Sequence, residues 1–156
     1  MEFNKSSHAV YLLMYHAVFV VKYRKRAISD EIGDYMKRYA TYLISNFNGE
    51  LISVETDGDH IHILMSLPPS VAPGTVVKTL KVQLSRETRK RYGDEIQTYL
   101  WGENTPFWTP SYFIQTAGTN VLENVKKYIE SQRTDDHKRK YVKSGKYKKS
   151  KRNKKK

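Results

Sequence analysis

The chain has 156 residues, 28 Lys and Arg against 16 Asp and Glu, a formal net charge of +12 and no cysteine. That length fits one domain with a real core, and the lack of cysteine excludes disulfides, thiolate metal sites and a cysteine nucleophile. The first residues lack a secretory h-region, and the longest apolar stretch, residues 9–21, is interrupted by Tyr15 and His16 and falls short of the ~20 residues of a membrane span, so a cytoplasmic protein with no membrane partner is expected.

Residues 10–21 are apolar on both parities (Val10, Tyr11, Tyr15, Val18, Phe19, Val20, Val21), as in a central strand buried on both faces. The basic run Lys22-Tyr23-Arg24-Lys25-Arg26 follows it. Ser29 is placed as an N-cap, with Asp30 and Glu31 in the first turn, where they favour the helix dipole. Ile32, Tyr35, Met36, Tyr39, Ala40, Leu43, Ile44 and Phe47 recur at helical spacing, and Asn48-Gly49 supplies the stop. Residues 50–56 read as a strand, Asp57-Gly58 as a two-residue hairpin turn, and residues 60–67 as the next strand, ended by Pro68-Pro69. A second helix is predicted over 75–92, with Val77, Leu80, Leu84 and Thr88 on one face and Gly93 as its terminal glycine. Residues 94–110 form an aromatic loop whose tryptophans, Trp101 and Trp108, are assigned to the core. Residues 111–116 make a short strand broken by Gly118. A third helix starts near Asn120, capped by Asn120 and Glu123, with Val121, Leu122, Val125 and Ile129 as its apolar stripe.

The order βαββαβ plus a C-terminal helix is the ferredoxin-like, split βαβ arrangement. This is an α+β fold with a four-stranded antiparallel sheet and helices on one face. The domain covers residues 1–137. Residues 138–156 carry 12 Lys and Arg and no acid, so the whole charge excess sits there. Blocks of like charge repel themselves, and this segment is predicted to be a disordered basic arm. Its role is either solubilising or an attraction to phosphates.

Two groups of residues carry chemistry. His60 and His62 are two apart on a predicted strand and project from the same face, where neutral imidazole nitrogens can hold a cation. The spacing alone does not separate a ligand pair from a solvated strand face. The other histidines, His8, His16 and His137, have no ligand-like spacing and are read as structural or solvated. Tyr128 and Gln132 lie one turn apart on one helix face. Periodicity does not say whether that helix meets the His60 strand.

Asp59-His60-Ile61-His62-Ile63-Leu64 resembles the His-hydrophobic-His motif of the HUH single-strand DNA nucleases and transposases. Lys127-Tyr128-Ile129-Glu130-Ser131-Gln132 resembles the tyrosine helix of the small single-tyrosine TnpA-type transposases of bacterial and archaeal insertion sequences. Tyr15-His16-Ala17-Val18-Phe19-Val20-Val21-Lys22-Tyr23-Arg24 is similar to that family's first strand and basic turn, and Trp108-Thr109-Pro110-Ser111-Tyr112-Phe113 to the segment before its last strand. The likeness runs from about Tyr15 to Gln132; the Lys-rich tail lies outside it.

The resemblance implies a metal-dependent strand transferase acting on single-stranded DNA hairpins at element ends, working as a homodimer. His60, His62 and Gln132 are implied as ligands of Mg²⁺ or Mn²⁺, which suits donors without sulfur. Tyr128 is implied as the nucleophile, forming a 5′-phosphotyrosine link and freeing a 3′-OH. Candidate DNA contacts are Lys22, Arg24, Lys25 and Arg26 after the first strand, and Lys78, Lys81, Arg86, Arg89 and Lys90 on the second helix, with Tyr23, Trp101 and Trp108 as bases' stacking partners. Two other readings remain at this point: a host-domesticated tyrosine nuclease processing hairpin repeats, and a non-catalytic RNA- or DNA-binding module. The latter calls for aromatic residues on the central strands, where this chain has His60 and His62.

Overall fold

The structure, a computed structural model, describes residues 3–102, 104–116 and 121–143, with the backbone alone for 133–143. Its elements are β1 (Asn4–Lys5), β2 (Val10–Tyr11), β3 (Met14–Val20), a 3₁₀ turn (Lys22–Arg24), α1 (Asp30–Ser45), β4 (Glu50–Thr56), β5 (His60–Ser66), α2 (Pro73–Gln97), β6 (Phe113–Thr116) and α3 (Val121–Lys143). The four long-range strands form one antiparallel sheet in the order β4-β5-β3-β6. This is the expected βαββαβ order with a C-terminal helix. The early hairpin β1-β2 was not anticipated, and it splits the stretch read as one strand.

β3 is central because it is apolar on both parities. Ala17, Phe19 and Val21 enter a large core with α1 and α2, alongside Ile61, Ile63 and Met65 of β5. Val18 and Val20 face the other way, into a smaller cluster with Val121, Val125 and Ile129 of α3. So α1 and α2 share one face of the sheet, and α3 covers the other.

The helix ends differ from the sequence reading in instructive ways. Ser29 does cap α1, its Oγ accepting from the Ile32 amide at 3.2 Å. After α1 it is Asn48, not Gly49, that takes the left-handed backbone (φ 58). Gly49 is needed for a different reason: a Cβ there would lie 2.8 Å from Leu67 and 2.9 Å from the Ser66 carbonyl. Gly58 alone of the β4-β5 turn has positive φ (62), so the turn is not type I′, which needs two such residues. α2 does not stop at Gly93. It starts at Pro73, where proline's missing N–H costs nothing, kinks at Tyr92 (φ −124, ψ 29) and runs on to Gln97. Burial of Ile96, and of Leu100 just beyond, holds that extra segment on the core. α3 continues to Lys143 and takes in the first six residues of the basic segment. The Asn120 cap and Gly118 lie outside the described residues, as do residues 144–156. Among the described residues, no helix is long and apolar enough to cross a membrane.

Candidate active site

Antiparallel register decides which side chains share the α3 face. Val20 pairs with His60, Val18 with His62 and His16 with Leu64. Directly opposed residues point to the same side, so His16, His60 and His62 stand on the α3 side of the sheet with Val18 and Val20.

His60 is fixed by its neighbour. Its Nδ1 lies 2.8 Å from Asp59 Oδ1. An ionised carboxylate only accepts, so Nδ1 carries the proton and Nε2 keeps its lone pair. Asp59 is itself buried and accepts from Arg24 Nε at 3.1 Å through its other oxygen. Burial pulls the Asp59 carboxyl upward, but the hydrogen bonds from His60 and Arg24 outweigh it and hold the group below its usual range. Carboxylate–histidine pairs of this kind orient metal-binding imidazoles.

The turn that delivers Arg24 is strained. Tyr23 (φ 59) and Arg24 (φ 53) both occupy the left-handed region, which costs on the order of 1–3 kcal/mol each for such residues. It is over-determined by its hydrogen bonds: the Lys22 amide donates to the Phe107 carbonyl and the Arg24 amide to that of Val21, both at 2.8 Å.

His62 meets a residue that sequence reasoning passed over. His16 Nδ1 lies 2.9 Å from His62 Nε2, and the two rings are tilted at 43°. Burial keeps both imidazoles below the ordinary histidine range, and for His62 the neighbouring His16 adds to this while Glu55 opposes it. Neutral imidazoles are the form that binds cations. Only the β3-β5 register could have paired His16 with His62, and spacing along the chain does not contain it.

α3 presents three stripes. Val121, Val125 and Ile129 pack on Val18 and Val20. Leu122, Lys126 and Glu130 border a cleft of about 300 Å³ that also contains Arg24, Asp59 and His60. The third stripe points to β6. Asn124 Nδ2 donates to Gln115 Oε1 at 2.9 Å, Tyr128 OH is 2.8 Å from Ser111 Oγ, and Ser111 Oγ donates to Gln132 Oε1 at 3.1 Å. With its one proton given to Gln132, Ser111 accepts from Tyr128. Tyr128 also lies against the Phe113 ring, 5.7 Å between centroids, and Gln132 is buried. Within one chain, then, Tyr128 and Gln132 are held together but on the flank of α3 away from His60.

Ser111 is held in place from behind. Lys81 Nζ donates to the Thr109 and Ser111 carbonyls at 2.8 and 3.0 Å, and Trp108 Nε1 donates to the Lys81 carbonyl at 3.1 Å. Burial lowers the Lys81 ammonium to about 8.

Four of the residues read as DNA contacts are thus engaged internally. Lys22 is buried, with Nζ 5.0 Å from the Tyr23 ring centre. Arg24 serves Asp59, Lys81 serves the Ser111 segment, and Arg89 donates to the Thr105 carbonyl. Burial lowers Arg89 below the usual guanidinium range. Lys25, Lys78, Arg86, Lys90 and Arg26 remain exposed, Lys90 near Glu87 and Arg26 in an ion pair with Asp57 at 3.1 Å. Trp108 is buried against Phe19 and Phe107, but Trp101 is 80% exposed, contrary to its assignment to the core.

A ferredoxin-like sheet with paired imidazoles on one face and a tyrosine-bearing helix across it defines the HUH tyrosine class. The chain belongs to the IS200-like transposase family, whose pattern matches residues 9–132. It is 36% identical over 132 residues to the ISDra2 transposase TnpA of Deinococcus radiodurans, covering 85% of this chain and 92% of that protein. It is 28% identical over 134 residues to the transposase for insertion sequence element IS200 of Salmonella typhimurium, covering 83% of each. A crystal structure assigned to a Deinococcus radiodurans transposase superposes with a TM-score of 0.75 at 29% identity, over 83% of this chain and 97% of that one. The protein is a transposase, an enzyme acting on DNA.

Proposed function

We propose that this transposase cuts and rejoins single-stranded DNA at insertion-sequence ends, recognised as hairpins, with Tyr128 as nucleophile and His60, His62 and Gln132 as ligands of Mg²⁺ or Mn²⁺. The observation that supports this reading is that His60 and His62 stand on the sheet face covered by α3, the helix that carries Tyr128 and Gln132. The donor set fits such a cation. His60 offers Nε2 because Asp59 holds Nδ1, burial favours the neutral form of His62, whose Nε2 the cation would share or take from His16, and an amide oxygen on Gln132 completes a sulfur-free set. When bound, the ion supplies Lewis acidity that polarises the scissile phosphodiester. The Tyr128 oxygen bonds to phosphorus as the 3′ oxygen leaves, so the phosphodiester energy is kept in a 5′-phosphotyrosine bond. Attack by another 3′-OH reverses the step and rejoins the strand.

Because Tyr128 and Gln132 face Ser111 in their own subunit, the site is completed by α3 of a second copy, in a homodimer, or by a re-docked α3. Among the described residues, the contacts to be exchanged include one small apolar cluster, the hydrogen bonds to Ser111 and Gln115, the Phe113 ring against Tyr128 and the packing of α3 on the 3₁₀ turn. The test is cleavage of both single strands of the flanking DNA with Mn²⁺ or with EDTA, read on a denaturing gel. A covalent protein–DNA band that needs Mn²⁺ is expected, while hairpin binding persists in EDTA. Full cleavage in EDTA would remove the metal from the mechanism. Mixing a Tyr128→Phe protein with a His60→Ala protein should restore cleavage if the site is shared between subunits.

A further inference from the structure

The basic turn after β3 divides its side chains between two cavities. Arg24 and Arg26 line the cleft at His60, whereas Tyr23 and Lys25 line a separate cavity of about 400 Å³. The second cavity is completed by Thr98, Tyr99, Leu100 and Trp101 from the end of α2 and the loop after it, and by Thr105. Its size is in the range of small-ligand sites. Leu100 is buried and forms a fixed apolar base, while Tyr99 (42% exposed) and Trp101 (80%) stand open to solvent. None of the described lining residues is acidic, and Lys25 supplies a cation. Hydrogen bonds order its lining: Thr105 Oγ donates to the Trp101 carbonyl and Arg89 donates to the Thr105 carbonyl, while Tyr23 lines it from the left-handed turn after β3.

Aromatic faces beside the Lys25 ammonium, next to a basic turn, match an unpaired nucleobase with its phosphate. Bases stack on aromatic rings whatever their identity, and the phosphate meets the lysine. We propose that this cavity receives an unpaired base of single-stranded DNA, the same strand whose scissile phosphate lies at His60, with Arg24–Lys25 as the divider over which the strand passes. The inference rests on the DNA-strand-transfer reading above and adds to it a second point of grip. Trp101 and Tyr99 stack on the base, and Lys25 pairs with its phosphate.

The two tryptophans make the test direct, since Trp108 is buried and Trp101 is exposed. Full-length protein in EDTA is titrated with an oligothymidylate of about ten nucleotides, a length within the site sizes of single-strand binders. A base-free oligomer of the same length serves as control. The oligothymidylate should quench the Trp101 fluorescence, identified by its loss in Trp101→Phe, and the base-free oligomer should not. Trp101→Ala should weaken oligothymidylate binding about tenfold and leave the base-free oligomer's affinity unchanged. Tyr99→Ala, a second exposed variant, should act in the same direction. The proposal is overturned if quenching is absent, if Trp101→Ala weakens both oligomers equally, or if the quencher proves to be a second copy of the chain, seen as concentration-dependent quenching without DNA. Hairpin DNA that is bound and cut while oligothymidylate leaves Trp101 untouched would sink the cavity alone. Failure to bind either DNA would remove the strand-transfer reading along with it.

Discussion

The two faces of the sheet are built to different standards. Among the described residues, 22 buried apolar side chains join α1, α2 and one face of the sheet, and five join α3 to the other. The histidine side sits on the strands shared by both, so His60 and His62 inherit the rigidity of the large core. The tyrosine side rides on the helix with the smaller one. Imidazoles and phenol are therefore held with unequal firmness. On the proposed function, that suits a reaction in which Tyr128 carries a DNA end from one place to another while the histidine half stays still.

The sharpest way to break this contrast is to remove the phenol oxygen. Tyr128→Phe should lower strand cleavage roughly 10³-fold or more and abolish the covalent band on a denaturing gel. Its loss of stability should be near ~1 kcal/mol, the worth of the hydrogen bond to Ser111. A covalent band that survives would shift the nucleophile to another tyrosine. On the firm face, Ile63→Ala should cost ~2–5 kcal/mol of global stability, read from the midpoint of urea unfolding by circular dichroism. The orienting carboxylate comes next. Asp59→Asn should weaken Mn²⁺ binding ~10–100-fold, measured by calorimetry on protein without DNA. Unchanged affinity would make Asp59 a partner of Arg24 only.

On the light face, Val125→Ala removes two methyl groups and should cost about 1.5 kcal/mol. It should accelerate hydrogen exchange in α3 while leaving β5 amides protected. Equal acceleration in both would erase the distinction between the faces. A pH dependence follows from Lys81. Its ammonium is lowered from 10.5 to about 8 by burial. Between those values the unfolded chain holds a proton that the folded chain has released, so stability rises with pH across that window. Lys81→Met should flatten that part of the wild-type pH profile of the unfolding midpoint.

The fold was legible in the sequence wherever a local pattern carried it. The double apolar parity of β3, the helical spacing of α1 and the Ser29 cap all appear in the structure. The placement of the candidate site residues was legible too, through short motifs: His60 and His62 lie on a strand and Tyr128 and Gln132 on a helix, as expected. What was hidden depends on cross-strand register and on chain folding over longer distances. His16 reaches His62 only through the pairing of β3 with β5. Asp59 stood in the quoted motif, yet its grip on Arg24 depends on a left-handed turn that no propensity favours. Ser111 was read as strand, but β6 starts at Phe113, which frees the serine hydroxyl for α3. Lys81 and Arg89 looked like surface charges because helical spacing does not reveal a loop folded over them.

The two-sided burial of β3 has an evolutionary corollary. Its odd-numbered positions, Ala17 and Phe19, belong to the large core, and its even-numbered ones, His16, Val18 and Val20, belong to the α3 face. Inserting or deleting a single residue there would exchange the two sets at a stroke, thrusting His16 into the oily interior and Phe19 beneath the tyrosine helix. A change of length inside β3 is therefore far more costly than a substitution at any one of its positions.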